Sequence, residues 1–529
     1  MKKGKITTLA LALALVMGIS LVPNSVLAAK KSSTAGILTQ ATFSDPINLC
    51  PSLSSDSAST DTTKYVFTAL LNYDWNGKLV PDCASALPVV SKDGKTITFK
   101  LRKDIKWHDG KQMTSADVKF SYEFILNKKT ASPRYGDFEK VTSIDAPDAY
   151  TVVFHMSQVD STMLAKFTNG YLIPKHLWEG VDPAKAKQSE LNRKPIGNGP
   201  FKFVEWKTSE RVVLEANPSY YAGKPKVSKI VQQINGNQAV AMVKAETGEA
   251  NYVKVPESDI ARMKTKSNLN VFVYDRTVFD AIIYNTKSPF FSDKRVRQAV
   301  THATNKKAIV AGIYKGIGRV ADGAINPKNA VFEPNVPKFA YDIKKANALL
   351  DAAGWKKGAD GIRVKDGKRF EFALLTNKGN IMREKITVVM QSQLKLIGIK
   401  VEPRLLEWNT FLAKYVEPGK FDAYVGGFST SLEFDQTAFW NSNRLLGSLN
   451  RGSYNNKIVD KAMEDAKLTF DAATQKKLYS TVQKQVAEDQ PMTFICYRRE
   501  GLALNKDIKN ARTTDLLMTN GEEINWTIN

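Results

Sequence analysis

Between Phe370 and Glu407 the chain reads strand, helix, strand. FEFALL is a short apolar run with the character of a strand. Met382 to Ile397 carries the period of an amphipathic helix and stops at Gly398, and IKVEPRLLE returns to an extended pattern. This is a β-α-β unit, whose crossover joins two strands of one sheet in the right-handed sense. Neighbouring segments agree with it. SDKRVRQAV offers Ser292 or Asp293 as an N-cap, followed by Val296, Ala299, Val300 and Ala303 on one helical face. DIKKANALLDAAG is capped by Asp342, carries Ala346, Leu349, Leu350 and Ala353, and ends with Gly354 in the C′ position. From Asn285 onward the pattern predicts an α/β lobe, and the segment before it is richer in strands.

A chain of 529 residues is too long for one core and predicts two or three domains. Its apolar content of 43% is ample for them, which sets disorder aside. The first residues, MKKGKITTLALALALVMGISLVPNSVLAAKK, read as a secretory leader over residues 1–29, with early lysines, an apolar run and small residues at Ala28 and Ala29. No Cys follows the small residues, so the expectation is a soluble protein secreted across the inner membrane into the periplasm, without a lipid anchor. Of the three cysteines, Cys50 and Cys83 are the nearer pair in sequence and the candidate disulfide in an oxidising compartment. The formal net charge of +23 is carried by lysines spread along the chain rather than clustered. Such dispersal favours a solvated basic surface over a nucleic-acid groove.

LRKDIKWHDGKQMTSADVKFSYEF, from Leu101, concentrates a Trp, a His, three Asp and a Glu. Its pattern is structural. A strand ends at Lys106-Trp107-His108, Asp109-Gly110 turns the chain, Thr114 and Asp117 have capping-box spacing, and Val118, Tyr122 and Ile125 form a helical stripe. No other His or Cys lies near His108, and paired metal ligands a few residues apart are lacking, so no metal site is expected. The preceding TITFKLR alternates as a strand, and the polar run from Ser52 to Thr63 reads as a loop leading into a helix that carries Tyr65, Val66, Ala69, Leu70 and Asn72. No G-x-S-x-G, H-E-x-x-H or Cys-His signature is present, so the chain is not expected to be an enzyme and no cofactor is called for.

Six motifs in register resemble one family. LRKDIKWHDGKQMTSADVKFS, IGNGPFKFVEW, VVLEANPSYYAGKPK, PFFSDKRVRQAVTHATNKKAIV, YDIKKANALLDAAGW and LKLIGIKVE are similar to the landmarks of the extracytoplasmic solute-binding proteins of ABC importers, in the family that binds dipeptides, oligopeptides and nickel complexes. The resemblance covers nearly all of the chain after the leader. It implies an α/β bilobal clamp, two α/β lobes joined by a two-strand hinge, with an additional small domain. The implied division is a discontinuous first lobe over 30–75, 198–285 and 497–529, a small domain over 76–197, and a second lobe over 286–496. It further implies a monomer that captures a short peptide and passes it to the permease subunits of an ABC transporter and their ATPase, with no nucleic acid. A nickel chelate, haem or another small nutrient is the alternative ligand; a secreted hydrolase or a chaperone is a more distant reading.

The same resemblance points to a loop that carries a carboxylate for the ligand's α-ammonium. Here that loop is GGFSTSLEFDQTAFW, Gly426 to Trp440. Glu433 takes the place of the family's first Asp, Phe428 that of a Trp and Phe434 that of a Pro, whereas Asp435 and Trp440 match. A carboxylate is the chemistry an ammonium needs, because a charge-assisted hydrogen bond is roughly twice as strong as a neutral one. The ligand-binding candidates are therefore Glu433, Asp435, Phe428 and Ser429 in the loop, with Trp408, Trp440 and Tyr454 as aromatic pocket walls.

Overall fold

A computed structural model describes residues 36–529 apart from 43, 55, 75–76, 330, 431–434, 444–448 and 513–521. The leader expected over 1–29 and the candidate Glu433 lie outside the described residues.

The elements that build the frame are, in chain order, β1 (Ile37–Thr42), α1 (Ser57–Val66), β2 (Val89–Val90), β3 (Thr96–Lys100), α2 (Ser115–Leu126), β4 (Val141–Asp148), β5 (Thr151–Met156), β6 (Phe201–Lys207), β7 (Arg211–Ala216), β8 (Lys229–Ile234), β9 (Tyr252–Val255) and β10 (Leu269–Tyr284). Then come α3 (Lys294–Ala303), β11 (Arg319–Val320), α4 (Ile343–Ala352), β12 (Glu371–Asn377), α5 (Ile381–Lys395), β13 (Lys400–Leu406), β14 (Ala423–Ser429), α6 (Thr437–Trp440), α7 (Ala472–Asp489) and β15 (Met492–Asn505). Among the described residues, eleven strands form one sheet in the order β13-β12-β14-β10-β15-β9-β1-β8-β7-β6, with β11 also on β15. The β-α-β unit read from Phe370 to Glu407 is β12-α5-β13, whose strands pair in parallel.

Side-chain alternation divides this sheet into two lobes. At one end Ile282, Leu374 and Val425 enter a cluster on one face while Ile283, Leu375 and Tyr424 enter a cluster on the other. At the other end Tyr252, Leu502 and Leu504 face one core and Val253, Val255 and Ala503 the opposite one. Each lobe is thus a sheet packed on both sides. β10 and β15 are the long strands that run through both, paired to each other over most of their length. A separate four-stranded sheet, β2-β3-β5-β4, packs Ile97, Phe99, Val152 and Phe154 against Val118, Tyr122 and Ile125 of α2 in a core of its own.

Helix caps form as the side-chain chemistry dictates. Asp342 Oδ1 accepts the Lys345 N–H at 2.9 Å at the start of α4, and Gly354 and Gly398 close their helices with φ of +88° and +77°. The helix expected after the polar run is placed differently. Asp56, inside that run, caps α1 through Ser59 N at 2.8 Å, and the helix ends at Val66 rather than continuing through Leu70. The reason is IGNGP. Gly199 N donates to the Val66 carbonyl at 2.8 Å, and a Cβ on Gly197 would run into that carbonyl. A backbone packed this closely leaves no room for another helical turn.

His108 ties the Asp109-Gly110 turn to the same glycines. Gly197 N donates to His108 Nδ1 at 3.2 Å, and Nε2 lies 3.0 Å from the Gly199 carbonyl. With Nδ1 accepting, Nε2 carries the proton and donates, so the ring is neutral; burial pushes its pKa down to about 4. An unfolded histidine titrates near 6.5, so the unfolded chain takes up the proton first. The contribution is complete above pH ~6.5 and is lost as pH falls toward 4. We expect the protein to lose about 1–3 kcal/mol of stability from this ring between pH 7.5 and 4.5. Urea unfolding of His108→Asn should show that share of the acid sensitivity missing; an unchanged pH slope would refute the assignment.

The expected Cys50–Cys83 disulfide is not made, which corrects the sequence reading. Both thiols are free and buried, Cys50 in the first-lobe core and Cys83 in the small-domain core. Burial pushes the Cys50 thiol up to about 12, and Cys83 Sγ is engaged by Thr68 Oγ1 at 2.9 Å.

Candidate functional site

β1 runs parallel to β8 and to β9, so their carboxyl ends, Thr42, Ile234 and Val255, share one edge of the first lobe. Ligands of open α/β sheets bind outside such ends. A cavity of ≈ 590 Å³ opens there, lined by Thr42, Asp61, Gln232, Lys254, Arg276 and Glu500 among others. It is the right size for a small ligand.

Its floor is rigid. Gln232 Nε2 donates to Gln40 Oε1 at 3.0 Å, Gln40 Nε2 donates to the Tyr65 hydroxyl at 2.8 Å, and Thr62 Oγ1 donates to Gln232 Oε1 at 2.7 Å. These side chains are buried, and a satisfied network of this kind holds its members in one arrangement. On the wall, Ser59 Oγ accepts the N–H groups of Ile47 and Asn48, fixing the loop after β1 to the first turn of α1. Asp45 accepts from Trp206 Nε1 at 2.9 Å and Ser209 N at 2.7 Å.

The remaining charged groups of the wall are partly exposed and come in both signs. Lys254 Nζ pairs with Asp61 at 2.6 Å and Arg276 with Glu500 at 3.3 Å. The Tyr274 hydroxyl donates to Glu500 at 2.6 Å, and burial together with that carboxylate holds the phenol pKa well above its ordinary value. Half-exposed pairs contribute at most about 1 kcal/mol each. Both cation and anion can therefore be exchanged for ligand groups at little loss of stability.

Arg276 and Glu500 come from the strands that link the lobes. The pairing of β10 with β15 slips between Asp275 and Phe279, and across this break Thr430 N donates to the Thr277 carbonyl at 2.7 Å from just beyond the end of β14. Buried charge clusters at the same place. Asp275, fully buried, lies 2.9 Å from Arg319 Nε and 3.0 Å from Arg499 Nε. Arg498 makes a two-pronged contact with Glu257 at 2.8 and 2.9 Å and approaches Asp280 at 3.9 Å. Asp280 also accepts from Tyr314 at 2.8 Å and Arg383 at 3.2 Å. A Cβ on Gly427 would collide with Asp280 and Arg383, which explains a glycine there.

The sequence candidates fall in three places. Phe428 and Ser429 end β14 at the strand break, where Ser429 is exposed and paired with Val278. The Phe428 ring meets Phe439 edge-on at 5.4 Å. Asp435 accepts Thr437 N at 2.8 Å and pairs with Lys467 at 3.0 Å, so its carboxylate is engaged within the protein. Trp440 and Tyr454 are buried in a hydrophobic core cluster, 1% and 4% exposed, in edge-to-face contact at 6.1 Å. Trp408 is 46% exposed at the carboxyl end of β13. Thr42, Asp61, Gln232, Lys254, Arg276 and Glu500 were not among the candidates; their signal is position at parallel strand ends, which requires the strand pairing to be known. Among the described residues, no group of three or more His, Cys, Asp or Glu is arranged to hold a metal ion, and no helix is long and apolar enough to cross a membrane.

Known proteins share this architecture. The family model described as "Bacterial extracellular solute-binding proteins, family 5 Middle" matches residues 78–447. The oligopeptide-binding protein AppA of Bacillus subtilis is 34% identical over 487 residues, 91% of this chain and 90% of the relative. The structure of Bacillus subtilis AppA in complex with a nonapeptide matches with a TM-score of 0.75 at 32% identity, covering 93% of this chain and 99% of that one. NikZ from Campylobacter jejuni in complex with Ni(L-His) matches with a TM-score of 0.77 at 28% identity, over 93% of this chain and 99% of that one.

Proposed function

Because the chain belongs to the bacterial extracellular solute-binding proteins of family 5, with their bilobal α/β clamp fold, we propose that it captures short peptides between its lobes outside the cytoplasm and delivers them to an ABC permease. The observation that carries this reading is the cavity at the strand ends, whose wall offers Asp61 and Glu500 beside Lys254 and Arg276. A peptide is a zwitterion and needs both signs. Its ammonium can replace a lysine or arginine as partner of a wall carboxylate, and its carboxylate can replace Asp61 or Glu500.

The rest of the ligand is backbone. An extended peptide that pairs its N–H and C=O groups with protein main chain gains affinity with little side-chain discrimination. Closure then follows from differential affinity: a ligand that touches both lobes stabilises the state in which both are within reach. No covalent step is involved. The 34% identity to an oligopeptide-binding protein over most of both chains supports a peptide as ligand. The likeness to a protein holding Ni(L-His) makes a metal chelate the second reading.

Thermal unfolding against di- to nonapeptides, with Ni²⁺-histidine and haem alongside, separates the two. Peptide at ~100 times its dissociation constant adds about 2.7 kcal/mol, and the peptide should be recovered intact. A shift with the chelate or haem and none with any peptide would overturn the peptide reading.

A further inference from the structure

A second cavity, of ≈ 220 Å³, lies in the other lobe beside the strand break, between β11, β15 and α7. Its wall includes Val320, Phe332, Val336, Val486, Tyr497 and Gln436. Two contacts place it next to the strand-end site. Asn326 Nδ2, in the segment that forms one wall, donates to the carbonyl of Arg276 at 3.3 Å. Tyr497 pairs with Phe279 and Arg319 where the two long strands resume their register.

The wall is mostly apolar, its two carboxylates are already paired, and its one lysine, Lys338, is exposed. Asp322 is paired with Lys306 at 2.6 Å, and Glu333 with Lys484 at 3.3 Å and Asn335 N at 2.8 Å. Gln483 donates to the Val331 carbonyl at 2.8 Å and accepts Glu333 N at 3.0 Å. Gln436 is the exception. Its Oε1 accepts the Trp440 indole N–H at 2.8 Å. An indole N–H only donates, so this contact fixes the amide with Nε2 turned the other way. Gln436 is 3% exposed, and its Nε2 reaches no acceptor among the described residues. A buried donor without a partner calls for an explanation, and one that lines a cavity is placed to meet an acceptor of an occupant.

We propose that this cavity receives one side chain of the bound peptide, an uncharged aromatic or long apolar side chain with a hydrogen-bond acceptor near its tip, tyrosine being the best fit. The proposal rests on the peptide reading and adds selectivity to it. At ≈ 220 Å³ the cavity is below the ~300 Å³ at which pockets begin to enclose whole ligands. One side chain is the occupant of that scale. The apolar wall supplies affinity, and the Gln436 amide distinguishes an acceptor-bearing tip from a plain hydrocarbon.

The test is calorimetric titration of alanine peptides of one length with free termini, in which Leu, Phe or Tyr is moved through each position. At one position the large side chains should tighten binding about 10-fold or more over alanine, with Tyr ahead of Phe. Val336→Trp, which fills the cavity from a loop, should abolish that preference while the all-alanine peptide binds as before. Gln436→Met should remove only the advantage of Tyr over Phe. If the all-alanine peptide binds but no position prefers a large side chain, or if Val336→Trp weakens every peptide equally, the pocket assignment is wrong and peptide capture stands. If no peptide binds the unmodified protein, the peptide reading fails and this one with it.

Discussion

Replacing Arg498 with methionine should destabilise the protein by about 3–5 kcal/mol, the range found when one partner is removed from a buried ion pair. Arg498 sits on β15 where it passes between the lobes. It holds Glu257, from the loop after β9 in the first lobe, and lies 3.9 Å from Asp280 of β10. Glu257 and Asp280 are 4% and 1% exposed. Without the guanidinium, the buried Glu257 loses both of its charge-assisted hydrogen bonds, and Asp280 keeps Arg383 and Tyr314. Methionine retains the packing of the stem, so the loss is electrostatic. Arg276→Met, on the partner strand a short distance away, is the control. Its pair with Glu500 is half-exposed and should contribute about 1 kcal/mol or less. Urea midpoints of the two variants check the contrast, and equal midpoints would refute a buried ionic joint between the lobes.

Trp440→Ala should cost about 3–5 kcal/mol, as for other buried aromatic truncations. The indole is 1% exposed, packs edge-on against Tyr454 and Phe494, and anchors Gln436. Trp408→Ala, at a side chain 46% exposed, should change stability by no more than about 0.5 kcal/mol. Both tryptophans looked alike in sequence as aromatic walls of a cleft. Thermal unfolding of the pair separates a core residue from a surface one, and a small effect at Trp440 would overturn its placement.

Local chemistry explains which features were legible before the structure. Asp342, Gly354 and Gly398 bound their helices because caps and C′ glycines act within a few residues, and the β-α-β unit at Phe370 to Glu407 announces itself through a change of period. The end of α1 was not legible. It is decided by Gly197 and Gly199, far along the chain, which press against Val66. The cysteines illustrate the same limit: Cys50 and Cys83 are near in sequence but belong to different cores. For the site, the loop from Gly426 led to the strand break through Phe428 and Ser429. The cavity wall was missed because Thr42, Gln232, Lys254 and Glu500 meet only once β1, β8, β9 and β15 are side by side. No window of sequence contains that adjacency. Asp435 looked like a ligand carboxylate from its loop alone, and its engagement by Lys467 depends on a lysine 32 positions away.

The central claim is that the cavity at the strand ends holds the peptide through wall charges of both signs. The measurement that tests it most directly is calorimetric titration of a binding peptide with free termini into the unmodified protein and into Lys254→Met and Glu500→Gln. The pairs these residues make are half-exposed, so both variants should fold with nearly unchanged melting temperature. We expect each to bind the peptide at least about 10-fold more weakly, equivalent to ~1.4 kcal/mol. Unchanged affinity in both variants, with the fold intact, would contradict the account.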